Sequence, residues 1–391
     1  MLNTSFSSWP SFTKEEAEAV SSVLLSNKVN YWTGTKCREF EQEFASWCDT
    51  KYAVALANGT LALDSAFKAL NISTGDEVIV TPRTFIASVS SIVNAGAKPI
   101  FADVNLDSQN ICPISIRKNI TKKTKAIVCV HLAGWPCEMD EIMELADEYN
   151  LFVIEDCSQA HGAKYKQKHV GSIGHIGCWS FCQDKIITTG GEGGMVATND
   201  KSLWKKMWSY KDHGKNYNSA LQAKPSNKYR YIHDSFGTNW RMTEMQAAIG
   251  QIQLKRMDDW HNKRVKNANK IWRTAKKCNG LRVPSIDNFI EHAAYKCYVF
   301  VDLEMLKADW TRERIIHEIQ ILGVPCYFGS CSEVYLEKSF KDSGLRPEIN
   351  LPNAVKLGEE SLMFLVHPTL TNSEIQKTCD SISIVMDMAS R

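Results

Sequence analysis

The chain has 391 residues, 44% of them apolar, and its 46 basic and 44 acidic side chains leave a formal charge of +2. That is enough chain for one large globular unit and a smaller one, and the charge balance gives no field that would draw nucleic acid or an anionic membrane. No run approaches the ~18 apolar residues of a spanning helix, and the Ser-rich stretch Met1 to Pro10 lacks the basic and apolar regions of a secretory signal. The thirteen cysteines are scattered and contain no Cys-x-x-Cys pair, so reduced thiols in a cytoplasmic protein are expected and a zinc site is not.

In chain order, Tyr52–Ala57 reads as a strand and Leu61–Leu70 as a helix. Glu77–Thr81 is a second strand after the turn Thr74-Gly75-Asp76, followed by a helix over Ala87–Ala95. Pro99–Asp103, Ala126–Leu132 and Phe152–Asp156 continue the strands, with a helix over Glu138–Tyr149 before the last, and Met195–Thr198 adds another. Short β-branched and aliphatic strands separated by helices predict an α/β fold with a mostly parallel sheet covered on both faces. A polar helical stretch from about Met242 to Cys278 then leads into a different texture: a strand at Lys296–Asp302, a helix at Thr311–Leu322 and a terminal helix at Asn372–Met388. The expected division is a large α/β domain over 1–255, the first dozen residues or so packing elsewhere, and a small α+β domain over 256–391.

Four segments carry chemistry. Lys185 is the one lysine in the apolar and small-residue run Trp179 to Gly194, just ahead of a glycine cluster. Partial desolvation there would free its amine for imine formation, against the plain alternative of a solvated loop lysine. The glycines lack the order of a phosphate-binding loop or a dinucleotide fingerprint, which disfavours nucleoside triphosphate and NAD. Ala57-Asn58-Gly59-Thr60 joins a strand to a helix whose first amides would seat a phosphate, unless Asn58 or Thr60 merely caps it.

Glu155-Asp156 closes an apolar strand at its carboxyl end, where ligands bind in open α/β sheets. A carboxylate placed there would keep a pyridine nitrogen protonated, although a lone Asp at a strand end is more often a helix cap or turn former. Phe85, after the second strand, suits either stacking on a planar ring or core filling.

Together these segments resemble the DegT/DnrJ/EryC1/StrS family of nucleotide-sugar aminotransferases, which use pyridoxal 5'-phosphate (PLP). The matching pieces keep the family's order: Tyr31-Trp-Thr-Gly34, Ala57-Asn-Gly-Thr-Leu-Ala-Leu63, Gly75-Asp-Glu-Val78, Thr84-Phe85, Glu155-Asp156 with Gln159-Ala-His-Gly-Ala163, Ser180-Phe181 with Lys185, Gly191-Glu-Gly-Gly194 and Asn239-Trp-Arg-Met242. The resemblance implies a fold-type-I homodimer with active sites shared between subunits. It also implies a ping-pong reaction in which glutamate converts PLP to pyridoxamine 5'-phosphate and the amine passes to a keto carbon of a nucleotide-linked deoxy sugar. C4 is the expected carbon, with C3 as the alternative.

By the same resemblance Lys185 forms the imine with the cofactor and carries the proton, Asp156 partners the pyridine nitrogen and Gln159 the ring hydroxyl. Phe85 stacks on the ring, Gly59, Thr60 and Ser180 hold the phosphate, and Asn239 reaches it from the other subunit, a plain helix N-cap being the alternative for that Asn. His292, Tyr295, Tyr298 and His367 in the smaller domain and His213 in the larger are candidate substrate contacts, each also open to a core polar role.

Two departures from the pattern stand out: the doubled glycine Gly190-Gly191, and Cys326 to Glu333, where several relatives carry a His-containing stretch that touches substrate. A dehydratase of the same family, which carries His in place of the lysine, and a non-catalytic regulator are the alternatives, and Lys185 with Asp156 and Gln159 argues against both.

Overall fold

The computed structural model describes residues 6–221 and 230–391. Its strands in chain order are β1 (Tyr52–Leu56), β2 (Glu77–Val80), β3 (Lys98–Phe101), β4 (Thr124–Val130), β5 (Phe152–Asp156), β6 (Lys164–Tyr165) and β7 (Lys168–His169). They continue as β8 (Ile176–Ser180), β9 (Gly194–Thr198), β10 (Leu281–Arg282), β11 (Ile290–Glu291), β12 (Cys297–Val301), β13 (Cys326–Tyr327) and β14 (Ser361–Phe364). The main sheet has the order β1-β9-β8-β5-β4-β2-β3. All its strands run one way except β9, which is antiparallel to both neighbours. This is the mostly parallel α/β sheet expected from the sequence, with the turn-back through β9 as its one exception.

Period-two alternation assigns each strand residue to a face. Val78, Val80, Ala126, Val128, Val130 and Ile154 belong to one core, packed under the helices Lys36–Trp47 and Gly59–Ala69. Ile79, Ile127, Cys129 and Val153 point the other way, into a second core with Ile116 and with Ile142 and Leu145 of the helix Met139–Tyr149. Runs of aliphatic residues without polar interruption are what a strand covered on both sides requires.

A four-stranded antiparallel sheet, β10-β12-β14-β13, forms beside the helices Met257–Ala275, Arg312–Ile321 and Asn372–Ala389 around its own apolar cluster. The long helical stretch expected over Met242–Cys278 is in fact two helices, Glu244–Lys255 and Met257–Ala275, broken at Arg256. Arg256 is held there by Glu15 at 2.6 Å and Glu16 at 2.7 Å on the helix Lys14–Leu25, a tertiary restraint that no local pattern records. The second of the two helices serves both cores, Met257 and Trp260 facing the first and Ala268 and Ile271 the other. None of the helices among the described residues is long and apolar enough to cross a membrane.

Glu155 anchors the region beside the carboxyl end of β5. Its carboxylate accepts from the backbone N–H groups of Gly171 (2.7 Å), Ile173 (2.9 Å) and Gly174 (2.6 Å) and lies 3.0 Å from His131 Nε2. His131 Nδ1 accepts from the Cys137 N–H at 3.0 Å, so the ring proton sits on Nε2 and donates to Glu155. The cluster His131, Glu155 and Cys157 has the spacing of a metal site, yet these hydrogen bonds account for the carboxylate and imidazole as structural groups. Glu155→Ala would strand four donors, those of Gly171 and His131 buried and those of Ile173 and Gly174 partly so, at about 1–3 kcal/mol for each buried one, so urea unfolding should show a loss on the order of 3 kcal/mol. A loss under about 1 kcal/mol would contradict the anchoring role.

Candidate active site

The carboxyl ends of β1, β2, β4, β5 and β8 surround one cavity of about 580 Å³. It gathers Gly59, Thr60, Phe85, Asp156, Gln159, Ser180 and Lys185, residues spread over more than a hundred positions of sequence. This is where a doubly wound sheet collects ligand-binding side chains, since each parallel strand delivers its following loop to the same edge.

Asp156 continues the face of Ile154 and so points into the cavity, whereas its neighbour Glu155 points away from it into the structural cluster. Ser88 Oγ donates to Asp156 Oδ2 at 2.7 Å, and the Ser158 N–H donates to Oδ1 at 3.1 Å. Ser88 is in turn linked to Thr84 Oγ1 at 2.8 Å. Two donors fix the carboxylate plane and leave lone pairs for a third partner. Gln159 Oε1 accepts from the Ala133 N–H at 2.8 Å, so its Nε2 is the end presented to the cavity. Phe85 lines the same space with 68% of its surface exposed, which excludes the core-filling alternative.

At the other wall, Asn58 caps the helix Gly59–Ala69 by accepting from the Leu61 N–H at 3.0 Å. That capping leaves the amides of Gly59 and Thr60 to the cavity, at the positive end of the helix dipole. A Cβ on Gly59 would sit 2.5 Å from the Cβ of Ser180, so only glycine lets the helix start approach the end of β8 this closely. The doubled glycine after Lys185 is also conformational, both Gly190 and Gly191 having positive φ, 84° and 124°.

Lys185 lies on the loop after β8, its side chain 17% exposed and its Nζ 3.4 Å from Asp184 Oδ1. Trp9 Nε1 donates to the Lys185 carbonyl at 2.8 Å, and Tyr295 donates its hydroxyl to Asp184 Oδ2. Burial pushes the Asp184 carboxyl up, but Lys185 and the Tyr295 hydroxyl outweigh it and hold the group below the usual carboxylate range. Asp184, Ser88 and Trp9 were invisible as site residues in the sequence, where nothing local distinguishes them.

Two further cavities adjoin this one. The first, about 390 Å³, shares Phe85, Gln159 and Lys185 with it and adds Tyr295, Tyr298 and part of the Cys326–Glu333 segment, through Gly329, Ser330 and Cys331. Tyr298 accepts from the Ser330 N–H at 2.7 Å, so that segment is moored to the wall by its backbone. The second, about 340 Å³, holds His367 beside Tyr295 and the N-terminal residues Phe6 to Trp9. The backbone carbonyl of Ser8 accepts from Thr369 Oγ1 at 2.9 Å, while Trp9 packs against the core of the main sheet.

Three candidates lie outside these cavities. His292 is a core group, not a cavity residue: its Nδ1 accepts from the Ala294 N–H at 2.7 Å, Trp135 and Trp272 flank it, and burial lowers its pKa to about 3. His213 and Asn239 are exposed on neighbouring turns, joined where the His213 N–H donates to the Thr238 carbonyl at 2.9 Å. Asn239 is not an N-cap, because the helix Glu244–Lys255 is capped by Thr243. Buried Asp212 clamps this loop, accepting from Trp32 Nε1 at 2.8 Å and from Arg241 at 2.8 Å, which gives two of the sequence motifs a structural task.

The description of the DegT/DnrJ/EryC1/StrS aminotransferase family matches residues 10–383. This chain belongs to that family. An aminotransferase from Psychrobacter cryohalolentis, solved by X-ray crystallography, superposes with a TM-score of 0.96 at 62% identity, over 98% of this chain and 99% of that one. GDP-perosamine synthase of Escherichia coli O157:H7 is 47% identical over 255 residues, 64% of this chain and 66% of that protein, so the match spans just under two thirds of the relative. The dTDP-3-amino-3,6-dideoxy-alpha-D-galactopyranose transaminase of Aneurinibacillus thermoaerophilus is 31% identical over 95% of each chain.

The fold is the fold-type-I arrangement, and the protein is a PLP-dependent aminotransferase. The residues present fit that cofactor: an amine, a carboxylate held by two donors, an exposed aromatic face and a glycine-permitted helix start border one cavity. Gly59→Ala should force the helix start away from Ser180, and equilibrium dialysis should find PLP affinity lowered at least about tenfold. Unchanged affinity would show that the phosphate lies elsewhere.

Proposed function

We propose that this enzyme moves an amino group from glutamate to the C4 keto carbon of a nucleotide-linked deoxy sugar in a ping-pong cycle. The observation that carries the reading is the placement of Lys185 and Asp156 in one cavity that adjoins a second, of about 390 Å³, lined by Tyr295 and Tyr298. The named nucleotide-sugar enzymes among the relatives support the substrate class. C3 is the second reading, favoured by the 3-amino position in the name of the Aneurinibacillus thermoaerophilus relative.

Bound PLP supplies an electron sink that stabilises charge on the substrate carbon. In the proposal, Lys185 holds it through Nζ, and the same Nζ, once free, takes up and returns the proton at that carbon. Asp184 Oδ1 lies 3.4 Å from that Nζ and pairs with it. Asp156 retains a proton on the ring nitrogen, and Ser88 and Ser158 keep its carboxylate aimed. Gln159, with its carbonyl end committed to Ala133, offers an amide N–H to the ring hydroxyl. Phe85 would stack on the ring, and the amides of Gly59 and Thr60 with the Ser180 hydroxyl, which line the same cavity, would hold the phosphate.

Asn239 and His213 are exposed outside the cavity of their own chain, which suits delivery to the site of a second copy. A homodimer with shared active sites follows as part of the proposal, with Asn239 completing the partner's phosphate seat. Tyr295, Tyr298 and His367 are proposed to contact substrate.

The purified protein should show an absorbance band at about 420 nm that moves to about 330 nm when glutamate is added. Lys185→Ala should fold, abolish turnover and let dialysis strip the cofactor from borohydride-treated protein. Absence of any band after PLP is supplied, or turnover by Lys185→Ala, would contradict the proposal.

A further inference from the structure

Residues 183–190 form turns and bends, outside every helix and strand, so no ladder holds the backbone of Lys185 in place. Its N–H donates to the Cys182 carbonyl at 3.0 Å, a contact within the same loop. Its carbonyl accepts from Trp9 Nε1 at 2.8 Å, from 176 positions earlier in the chain. Among the described residues, that indole N–H makes the one hydrogen bond between the Lys185 backbone and chain outside its loop. The side chain of the neighbouring Asp184 is held separately, by the Tyr295 hydroxyl.

Trp9 can act as a fixed point because its own ring is clamped. The ring meets Trp260 edge-on at 5.1 Å between centres, lies 6.1 Å from the His367 ring at an angle of 24°, and has the Arg264 guanidinium 5.0 Å from its centre. The residues before it are fastened as well. Ser7 Oγ donates to Glu374 Oε2 at 3.1 Å, and the Ser8 carbonyl accepts from Thr369 Oγ1 at 2.9 Å. Glu374 lies in the first turn of the helix Asn372–Ala389, so the strap from Phe6 to Trp9 ties the start of that helix to the lysine loop.

We propose that Trp9 is a positioning residue for the reaction: its indole N–H holds the Lys185 carbonyl and so sets where Nζ stands relative to the substrate carbon. The inference rests on the aminotransferase reading, in which Nζ carries the proton, and adds to it a group that acts through the lysine. A displacement of about 1 Å in a reacting group costs on the order of a hundredfold in rate, and the flexible stem of a lysine passes on any shift of its backbone. Packing is the alternative task for Trp9, and it makes a different demand. Any ring of suitable size satisfies packing, whereas positioning needs the donor.

The test compares wild-type enzyme with Trp9→Phe, which keeps a ring between Trp260 and His367 and removes the N–H. In wild type carrying ¹⁵N-labelled tryptophan, the indole signal that Trp9→Phe lacks should exchange slowly with solvent, with or without PLP. When PLP is mixed with cofactor-free enzyme, the visible cofactor band should appear about tenfold more slowly in the variant. Glutamate should convert that band about tenfold more slowly per loaded site, with its KM within about twofold of wild type. Glutamate deuterated at Cα should show an isotope effect at least as large as in wild type, because proton transfer to Nζ is the step that has slowed.

A Trp9 indole proton that exchanges as freely as an exposed one overturns the assignment. So does a variant that captures PLP, or is converted by glutamate, at the wild-type rate. A slower variant whose isotope effect has shrunk also overturns it, since the delay then lies outside the proton transfer. A wild-type enzyme without the cofactor band, or whose band glutamate does not move, counts instead against the aminotransferase reading.

Discussion

The alternation of side chains at the end of β5 is the constraint on which the rest depends. Two adjacent carboxylates leave the strand on opposite faces. Glu155 turns toward His131 and three backbone amides and is used up in holding the loop around Gly171 and the start of β8. Asp156 turns toward the cavity with lone pairs to spare. A slip of one residue in register would exchange their roles, leaving the loop unanchored and the cavity with a longer, unsupported carboxylate. The structural task of one acid therefore fixes the chemical position of the other.

The opposite wall depends on small residues. The start of the helix Gly59–Ala69 lies so close to β8 and β9 that a Cβ on Gly59 would meet Ser180, and one on Gly194 would come within 2.3 Å of the Asn58 carbonyl. This contact brings the helix amides to the same edge as Lys185, and the antiparallel strand β9 makes it possible by returning the chain between β1 and β8. The glycines before β9 thus serve a turn and a close approach rather than a phosphate loop of their own.

Local features were legible in the sequence because they depend on neighbours in sequence. The strands, the Asn58-Gly59-Thr60 helix start, the carboxylate at the end of β5 and Lys185 each carry their own pattern, and the fold delivers them to one place. What the pattern could not show is long-range. Trp9 reaches Lys185 across 176 positions, and Arg256 breaks a helix because Glu15 and Glu16 lie opposite it. His292, beside a tyrosine-rich strand, has the look of a substrate contact, yet two tryptophans far apart in sequence enclose it. Asn239 differs again: it is exposed and does not line the cavity of its own chain, which no local pattern records. Arg264 reads as one more basic residue on a polar helix, and only its burial without a counter-charge among the described residues sets it apart.

In the proposed mechanism Asp156, freed for chemistry by the structural commitment of Glu155, keeps the cofactor's ring nitrogen protonated. The direct measurement is the nitrogen NMR shift of enzyme loaded with ¹⁵N-labelled PLP, recorded for wild type and Asp156→Ala from neutral to mildly alkaline pH. The expected result is a protonated ring nitrogen throughout in wild type and an unprotonated one in the variant. An unprotonated nitrogen in wild type, or a protonated one that survives in Asp156→Ala, would contradict it.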